Sequence, residues 1–184
     1  MDTTNLKIIR ESFGRVCYSH KTHEKDAEMQ SENASRVKWI NILLIGITSG
    51  TLLSTVFGDQ QLLVVSAIFS AITLGFSIFQ LSFDPEKQSA RHKLAANSLW
   101  LVREKYVCLM ADIINSSIKQ DTIIKRRDEL ICELDIIYKS APTTSSKAYK
   151  KAQEALQLNE ELTFSDKEID QLLPDSLHIK KSKI

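Results

Sequence analysis

Glycine is scarce in this sequence: the 184 residues include only five, and four of these lie in or beside one uncharged stretch. The charged remainder therefore has no glycine-rich segment from which to form a loop around a phosphate group. The motifs GxxxxGK(S/T), GxGxxG, GxSxG and HExxH are all absent, so the usual marks of nucleotide hydrolysis, dinucleotide binding, serine hydrolysis and zinc-dependent proteolysis are missing. We predict that the protein is not an enzyme and needs no cofactor.

Cysteine is also rare. Cys17, Cys108 and Cys132 are far apart and odd in number, and no CxxC pair suggests a zinc or redox site. We expect reduced thiols in a cytosolic compartment, buried as small apolar side chains. His20 and His23, one helical turn after Cys17, are either metal ligands or a pair that faces solvent or a neighbouring helix. The second interpretation is favoured, because no fourth ligand has the spacing of a structural zinc site.

Charge is missing from the middle of the chain. Residues 39–83 contain one charged side chain, Asp59, whereas the other 139 residues carry the remaining 46. This distribution excludes a single soluble globule with charge spread evenly over its surface. Because the net charge is only +1, the chain also lacks the basic footprint of a nucleic-acid-binding protein. We therefore expect no direct nucleic-acid binding.

The uncharged stretch predicts two membrane-spanning helices. Residues 39–57 are 19 uncharged residues and residues 62–83 are 22, and about 20 helical residues cross a bilayer core. The linker, residues 58–61, is long enough only for a tight turn, which predicts an antiparallel hairpin. The alternative, a buried hairpin of a soluble helical protein, is disfavoured because the rest of the chain is small and highly charged. The predicted fold class is an all-α membrane protein, a two-span transmembrane helical hairpin with long cytoplasmic helices before and after it that form a stalk or bundle.

Basic side chains flank the two outer ends of this pair and are absent from the turn, which predicts that both termini are cytoplasmic. Trp39 lies where an interfacial aromatic is favoured. The first apolar segment begins after 38 residues and lacks a small-residue cleavage pattern, which argues against a signal peptide. The flanking basic residues are Lys21, Lys25, Arg36, Lys38, Lys87, Arg91, Lys93 and Arg103.

Small and polar residues are sorted onto separate faces of each span, given a rotation of about 100° per helical residue. The small residues form stripes that let helix backbones approach closely and associate in lipid. These candidate helix-packing residues are Gly46, Gly50 and Ser54 in the first span and Ala67, Ala71 and Gly75 in the second. The polar faces comprise Asn41, Thr48, Thr51 and Thr55 in the first span and Ser66, Ser70, Thr73, Ser77 and Gln80 in the second.

The polar faces have two interpretations. In one, the hydroxyls bond to carbonyls of their own helix and tolerate lipid. In the other, several copies pack through the small stripes and the polar side chains are pore-facing, since one hairpin alone cannot enclose a pore. No Asp, Glu, Lys, Arg or His lies within either span, which disfavours a proton relay, a voltage sensor or a charge-selective filter.

The segments outside the hairpin predict further helices. Residues 5–36 form a helix that leads into the first span. Asp84 and Pro85 provide the N-cap and first turn of a helix that runs to about Ser117 with the apolar spacing of a coiled coil. The predicted organisation is a cytoplasmic N-terminal helix (1–38), the hairpin (39–83), a cytoplasmic helical region (84–174) and a disordered basic tail (175–184).

Within the cytoplasmic region, shorter helices are predicted over 121–140 and 146–158, and a capping box at Ser165 begins a last one. No run of useful length alternates with period two, so strands are not expected. The predicted apolar stripes are Leu6, Ile9, Phe13 and Val16; Ala95, Leu99, Val102, Tyr106, Leu109 and Ile113; Ile123, Leu130, Leu134 and Ile137; and Tyr149, Ala152 and Leu156.

The densest basic cluster in a helical context is Lys125, Arg126 and Arg127. These residues are candidate contacts for an anionic ligand such as a nucleotide phosphate. A solvated helix face with ion pairs such as Lys125 to Glu129 is the alternative, and the one that we favour.

Three groups of residues after the hairpin, together with the charged N-terminal helix and the hairpin itself, carry a family resemblance. They are Arg127-Asp128-x-Leu130-x-x-Glu133-Leu134, then Ala141-Pro142-x-Thr144 with Tyr149 and Ala152, and Phe164-Ser165-Asp166-x-Glu168-Ile169 leading to Leu173-Pro174. The layout resembles the SLATT family, two-transmembrane effector domains associated with bacterial second-messenger and SLOG-type conflict systems. The resemblance covers most of the chain, and its motifs concern packing rather than chemistry.

The resemblance implies an oligomeric effector that forms a pore and depolarises or permeabilises the bacterial inner membrane in an antiphage or abortive-infection system. It further implies gating by a nucleotide second messenger, a signal-producing enzyme or a reverse-transcriptase-linked partner, although no ligand-sensing residue of the family has a counterpart here. The expected partners are the lipid bilayer and further copies of the chain. The alternative is a non-conducting, membrane-anchored scaffold that docks a partner through its cytoplasmic helices.

Overall fold

The structure, a computed structural model, describes residues 3–56 and 61–178; their regular elements are all helices, and they contain no strand. This confirms the all-α class. The predicted turn falls mostly on residues 57–60, and the predicted tail ends with residues 179–184; both ranges lie outside the described residues. The helices are α1 Thr3–Val56, α2 Gln61–Ser82, α3 Pro85–Ile114, α4 Gln120–Ser140, α5 Ser146–Gln157 and α6 Asp166–Leu172, followed by a 3-10 turn at Asp175–Leu177.

Helix α1 is continuous over 54 residues, which at 1.5 Å per residue makes a rod of about 80 Å. The predicted N-terminal helix and the first apolar span are therefore parts of one element. The three prolines of the chain all lie elsewhere, so α1 contains no residue that removes a helical hydrogen bond. The N-terminal half of α1, which is predicted to be cytoplasmic, is consequently joined to its apolar half by unbroken helix.

A short break at Phe83 and Asp84 separates α2 from α3. The Asp84 carboxylate accepts a hydrogen bond of 2.9 Å from the Lys87 N–H, and Pro85 occupies the first turn of α3, so the predicted cap is confirmed. Helix α3 ends at Ile114, slightly before the expected end at Ser117, because Ser116 adopts a left-handed backbone conformation with a φ of 52°. A residue in that conformation does not continue a right-handed helix.

The core lies outside the apolar pair, in the region predicted to be cytoplasmic, and is built from α1, α3 and α4. Every residue of the predicted α3 stripe is buried, which confirms that the spacing of its apolar residues marks the packed face. Leu134 and Ile137 of α4 are half-buried against the same cluster. The buried cluster comprises Ile9, Val16, Leu99, Val102, Tyr106, Leu109, Ile113, Ile123 and Leu130.

Helix α5 packs against α1 through alanines rather than through the larger residues that the sequence favours. Ala148, Ala152 and Ala155 are buried, whereas Tyr149, predicted to face the core, is 51% exposed. Small side chains allow two helices to approach closely, so the packed face of α5 is centred on its alanines. Tyr149 instead stacks on Tyr18, with ring centroids 6.0 Å apart.

The apolar halves of α1 and α2 form no such core. Large apolar side chains such as Leu43 and Leu74 are more than 60% exposed. In the most apolar 18-residue segment of the first helix, no residue is buried. In the corresponding segment of the second helix, 6% of the residues are buried. Both helices are long and apolar enough to cross a membrane, and their exposure argues against the alternative of a hairpin buried in a soluble protein.

Replacing Leu99 by alanine is expected to destabilise the cytoplasmic bundle by about 2–5 kcal/mol, because it leaves a cavity in a packed interior. Leu99 is completely buried, whereas Leu101, on the same helix, is 47% exposed. Leu101→Ala is therefore the matched control and should cost about 0.5 kcal/mol or less. Thermal unfolding of the full chain in detergent, followed by circular dichroism, compares the two; equal melting temperatures would contradict the assigned core.

Candidate functional site

A polar seam joins α1 and α2. The hydroxyl oxygens of Thr48 and Thr73 lie 3.1 Å apart and form a hydrogen bond between the two helices. Ser66 is almost completely buried, and Ser70 is exposed. The other candidate pore-facing residues, Asn41, Thr48, Thr51, Thr55, Thr73, Ser77 and Gln80, are half-buried.

The hydroxyls of the seam donate hydrogen bonds to carbonyls of their own helices. The Thr48 hydroxyl lies 2.8 Å from the Leu44 carbonyl oxygen and that of Thr73 lies 2.7 Å from the Phe69 carbonyl oxygen. Thr51, Thr55, Ser66 and Ser77 make equivalent bonds of 2.7–3.0 Å. A hydroxyl that donates in this way keeps its acceptor lone pairs. Because each threonine hydroxyl has one hydrogen, either Thr48 or Thr73 donates across the seam in place of the bond to its own helix carbonyl. The polar seam therefore presents mainly oxygen acceptors.

The small-residue stripes lie away from this seam. A Cβ atom added at Gly46, Gly50 or Gly75 would meet nothing within 4 Å. Ala67 and Ala71 are exposed, and Ser54 is half-buried. The candidate helix-packing residues therefore leave a surface on the apolar pair that a second copy or lipid can approach closely.

Two amide side chains end the seam on its cytoplasmic side. Asn41 Oδ1 and Gln80 Nε2 are both buried and have no hydrogen-bond partner within the described chain. Both residues line a cavity of about 680 Å³ between α1, the end of α2 and the start of α3. An unpaired buried amide atom costs about 1–3 kcal/mol, so this end of the seam favours a polar molecule that supplies the missing bonds.

Two histidine contacts between α1 and α3 lie further from the apolar pair. The His20 ring lies 2.9 Å from the Ala96 carbonyl oxygen, and His23 Nδ1 lies 3.0 Å from His92 Nδ1. His20 and His23 thus face α3, which agrees with the helix-facing interpretation of this pair. No group of three or more metal-ligating side chains occurs in the part of the chain that the structure describes.

The His23–His92 contact requires at least one neutral ring, because one nitrogen must donate and the other must accept. Burial, reinforced by the neighbouring His92, lowers the pKa of His23 to about 4. Burial also lowers the pKa of His92. Asp26 opposes both shifts, and nearby His20 adds to that of His23.

Polar contacts also attach the C-terminal part of the chain to α1. Asp26 is buried; its carboxylate accepts bonds of 2.7 and 2.9 Å from the Ser145 hydroxyl and N–H at the start of α5. The buried Lys21 ammonium lies 2.6 Å from the Glu161 carboxylate and 2.8 Å from that of Glu24. Burial alone would lower the pKa of Lys21, but these two carboxylates outweigh it and raise the pKa.

The functional residues predicted from the sequence do not include Lys21, Asp26, His92 or Glu161. The sequence contains one indication of these contacts. The apolar stripe of α1 ends at the polar residues His20 and His23, although the helix continues beyond them. Partners that lie 69 to 140 residues apart cannot be paired from the local spacing of residues.

The basic cluster of α4 is paired with acids. Lys125 lies 3.9 Å from Glu129, Arg126 lies 2.7 Å from Asp112, and Arg127 lies 2.8 Å from Asp128. The geometry matches the alternative of an ion-paired helix surface. The role of Lys125, Arg126 and Arg127 as anion contacts stays a prediction, and an anion would have to compete with three carboxylates.

The cysteines lie on the cytoplasmic helices. Cys17 is half-buried, and burial raises the pKa of its thiol, which keeps it protonated. Cys108 and Cys132 are exposed, so the expectation of burial is wrong for these two. Their helices bury other stripes, and each cysteine falls outside the packed face.

Comparison with known families matches residues 6–168 to the SMODS and SLOG-associating 2TM effector domain family 4. The match covers the apolar pair and nearly all of the cytoplasmic helices, and its description names an effector domain. No curated protein and no solved structure matches the chain.

We expect the free energy of unfolding to fall as the pH is lowered from about 6.5 to about 4, by up to about 3 kcal/mol. The unfolded chain takes up a proton on His23 near the ordinary pKa of 6.5, whereas the folded chain resists until about 4. The proton therefore favours the unfolded state throughout this interval. Thermal unfolding of the full chain across the pH range measures the effect.

The variant His23→Leu should show a shallower loss of stability with acid. His178→Gln, outside the helical core, is the control and should keep the wild-type dependence. An unchanged slope in His23→Leu would contradict the assignment of acid sensitivity to the histidine contact.

Proposed function

The chain belongs to the SMODS and SLOG-associating 2TM effector domain family 4, and on this basis we propose that it is an oligomeric effector that permeabilises the bacterial inner membrane. It inserts as a two-span hairpin with both termini in the cytoplasm, as the basic residues at the outer ends favour. Its activity kills or arrests a cell in response to infection, which is the role implied by the family resemblance.

The observation that carries the proposal is the polar seam between α1 and α2. Thr48, Thr73 and their neighbours offer oxygen acceptors, because most of their hydroxyl hydrogens are directed at carbonyls of their own helices. Oxygen acceptors replace the hydration shell of a cation, so such a surface favours cations over anions. In the isolated chain the seam is closed by the Thr48–Thr73 hydrogen bond, which corresponds to the resting state in this proposal.

Opening requires several chains, because two helices cannot enclose a path. The outward stripe of Gly46 and Gly50, where added Cβ atoms meet nothing, allows close helix contacts between copies. Once protomers are held by these stripes, separation of α2 from α1 turns the two polar faces toward a shared axis.

The unbroken α1 supplies the route by which a cytoplasmic signal reaches the seam. α3 and α5 both pack on its cytoplasmic half, and α2 packs on its apolar half. A nucleotide second messenger, a signal-producing enzyme or a reverse-transcriptase-linked partner that binds one arrangement of the cytoplasmic bundle better than another shifts the population accordingly.

A disulfide across the seam tests the proposal. We expect the double variant Thr48→Cys with Thr73→Cys to stop ion flux through liposomes when oxidised, and reductant to restore it, because the bond holds α1 and α2 together. The replaced oxygens are 3.1 Å apart, and a disulfide needs about 2.05 Å between sulfurs, so only a small approach is required. The three native cysteines are first replaced by alanine.

Each single cysteine variant is the matched control and should conduct alike under oxidising and reducing conditions. Flux is measured with and without a panel of nucleotide second messengers. Equal flux from the oxidised and reduced double variant, with the disulfide verified, would argue against a path that opens at the seam.

A non-conducting scaffold is the second candidate. It is favoured by the internal hydrogen bonds of the seam hydroxyls, which satisfy them without any pore. In that case we expect an unrelated two-span anchor to replace residues 39–83 without loss of toxicity in cells, because only the cytoplasmic helices would matter. Loss of toxicity in this chimera, with its membrane insertion confirmed, would favour the pore.

A further inference from the structure

The cavity at the end of the polar seam lies where the two apolar helices give way to charged residues. Its wall includes Lys38 and Asn41, on either side of Trp39, and Gln80 and Asp84, on either side of Phe83. These positions are the cytoplasmic boundary of the two apolar helices, where a chain that spans the membrane meets the polar layer.

Two interhelical hydrogen bonds bound the gap. On the cytoplasmic side, the Ser89 hydroxyl donates to the Ala27 carbonyl oxygen at 2.8 Å. On the membrane side, Thr48 meets Thr73 at 3.1 Å. Between them, α1 presents mostly small side chains, such as Ser31 and Ala34, and the helices leave a space of about 680 Å³. That volume is within the range of pockets for small molecules, about 300–1,000 Å³.

The charges on the wall are of both signs and are separated by the gap. Lys38 lies on α1, and Asp84 and Glu86 lie at the start of α3. Neither Lys38 nor Glu86 has an ion-pair partner among the described residues. The Asp84 carboxylate accepts the capping bond from Lys87 through one oxygen, which leaves its second oxygen available.

The two unpaired amide atoms add one donor and one acceptor. Gln80 Nε2 donates, and Asn41 Oδ1 accepts; both are buried on the wall without a partner in the described chain. A ligand that satisfies this wall therefore carries an anionic group, a cationic group with N–H donors, and further acceptors.

We propose that the cavity binds the headgroup of a zwitterionic phospholipid with a primary ammonium, namely a phosphatidylethanolamine. Lys38 holds the phosphate, Glu86 and Asp84 hold the ammonium, and the amides of Gln80 and Asn41 bond to the same headgroup. The inference rests on the chain spanning the membrane and does not depend on whether it conducts ions.

The wall also disfavours other ligands. A nucleotide or an anionic lipid would face two carboxylates and a single cation, and like charges repel at this range. A choline headgroup has no N–H to donate, and proteins recognise quaternary ammonium through aromatic cages. The described residues that line the cavity include no aromatic side chain.

Competition among lipids tests the proposal. The full chain is purified in detergent and given equal amounts of phosphatidylethanolamine, phosphatidylcholine and phosphatidylglycerol with identical acyl chains, and retained lipid is measured by native mass spectrometry. We expect phosphatidylethanolamine to be retained about fivefold over each of the others, because charge-assisted hydrogen bonds stabilise only its complex. Equal retention of phosphatidylethanolamine and phosphatidylcholine would overturn the assignment.

Two variants address the site itself. Glu86→Gln should lower the preference for phosphatidylethanolamine over phosphatidylcholine from about fivefold to about twofold, since one of the two carboxylates that hold the ammonium is lost. Ala34→Phe should reduce retention of the lipid by filling the gap without changing charge. Glu129→Gln, an exposed carboxylate on α4 away from the cavity, is the matched control and should behave as wild type. Wild-type preference in both cavity variants would overturn the site.

Competition with a soluble headgroup distinguishes a site for a whole lipid from a site for a free small molecule. We expect phosphoethanolamine in solution to leave the retained lipid in place at concentrations equal to that of the lipid, because acyl chains contribute to the binding of the whole molecule. Displacement at equal concentration would show a site for a soluble ligand and would overturn the lipid assignment. Flux through liposomes is scored separately, so failure of the lipid site is distinguishable from failure of the pore.

Discussion

Helix α1 runs for 54 residues without interruption, and α2, α3 and α5 all pack against it. The physical constraint behind this arrangement is the length of one hydrogen-bonded helix that must pass from water into an apolar environment. Its cytoplasmic half buries Ile9 and Val16 in a core, whereas its other half exposes leucine and isoleucine that only lipid or another chain can cover. Because both halves belong to one unbroken helix, a movement of the helical bundle around α1 can be transmitted directly to the apolar pair.

The polar side chains of α1 find their hydrogen-bond and ion-pair partners in different places in its two halves. In the cytoplasmic half, buried charges and rings find partners on other helices: Lys21 pairs with Glu161, Asp26 bonds to Ser145, and His23 meets His92. In the apolar half, most hydroxyls bond to carbonyls within their own helix, and among the described residues the Thr48–Thr73 bond is the side-chain hydrogen bond that crosses to α2. The two regions meet at the cavity beside Asn41 and Gln80, where one amide atom of each residue has a hydrogen-bond partner neither on its own helix nor on another described helix. This incomplete satisfaction motivates the proposed headgroup site.

Much of the architecture follows from local patterns. The uncharged run of residues 39–83 predicts both apolar helices, and the spacing of Leu99, Val102 and Tyr106 predicts the buried face of α3, because helical periodicity and burial are linked over a few turns. The caps at Asp84 and Ser165 are also local, since each bonds to a backbone group within one turn. Two predictions were less accurate. The packed face of α5 is formed by alanines and not by Tyr149, and Cys108 is exposed rather than buried. Both depend on how closely a distant helix approaches.

The amino-acid sequence by itself determined that the chain is helical, that its middle is apolar enough for a membrane and that its ends are charged, because composition and period act locally. It also sorted the polar and small residues of each apolar helix onto separate faces. Only the tertiary structure decided which faces meet: Thr48 lies against Thr73, while the glycine stripes stay uncovered. The pairing of His23 with His92 was likewise decided by the packing of α1 on α3. Contacts between residues so far apart in sequence depend on the relative rotation and position of whole helices, which no local spacing records.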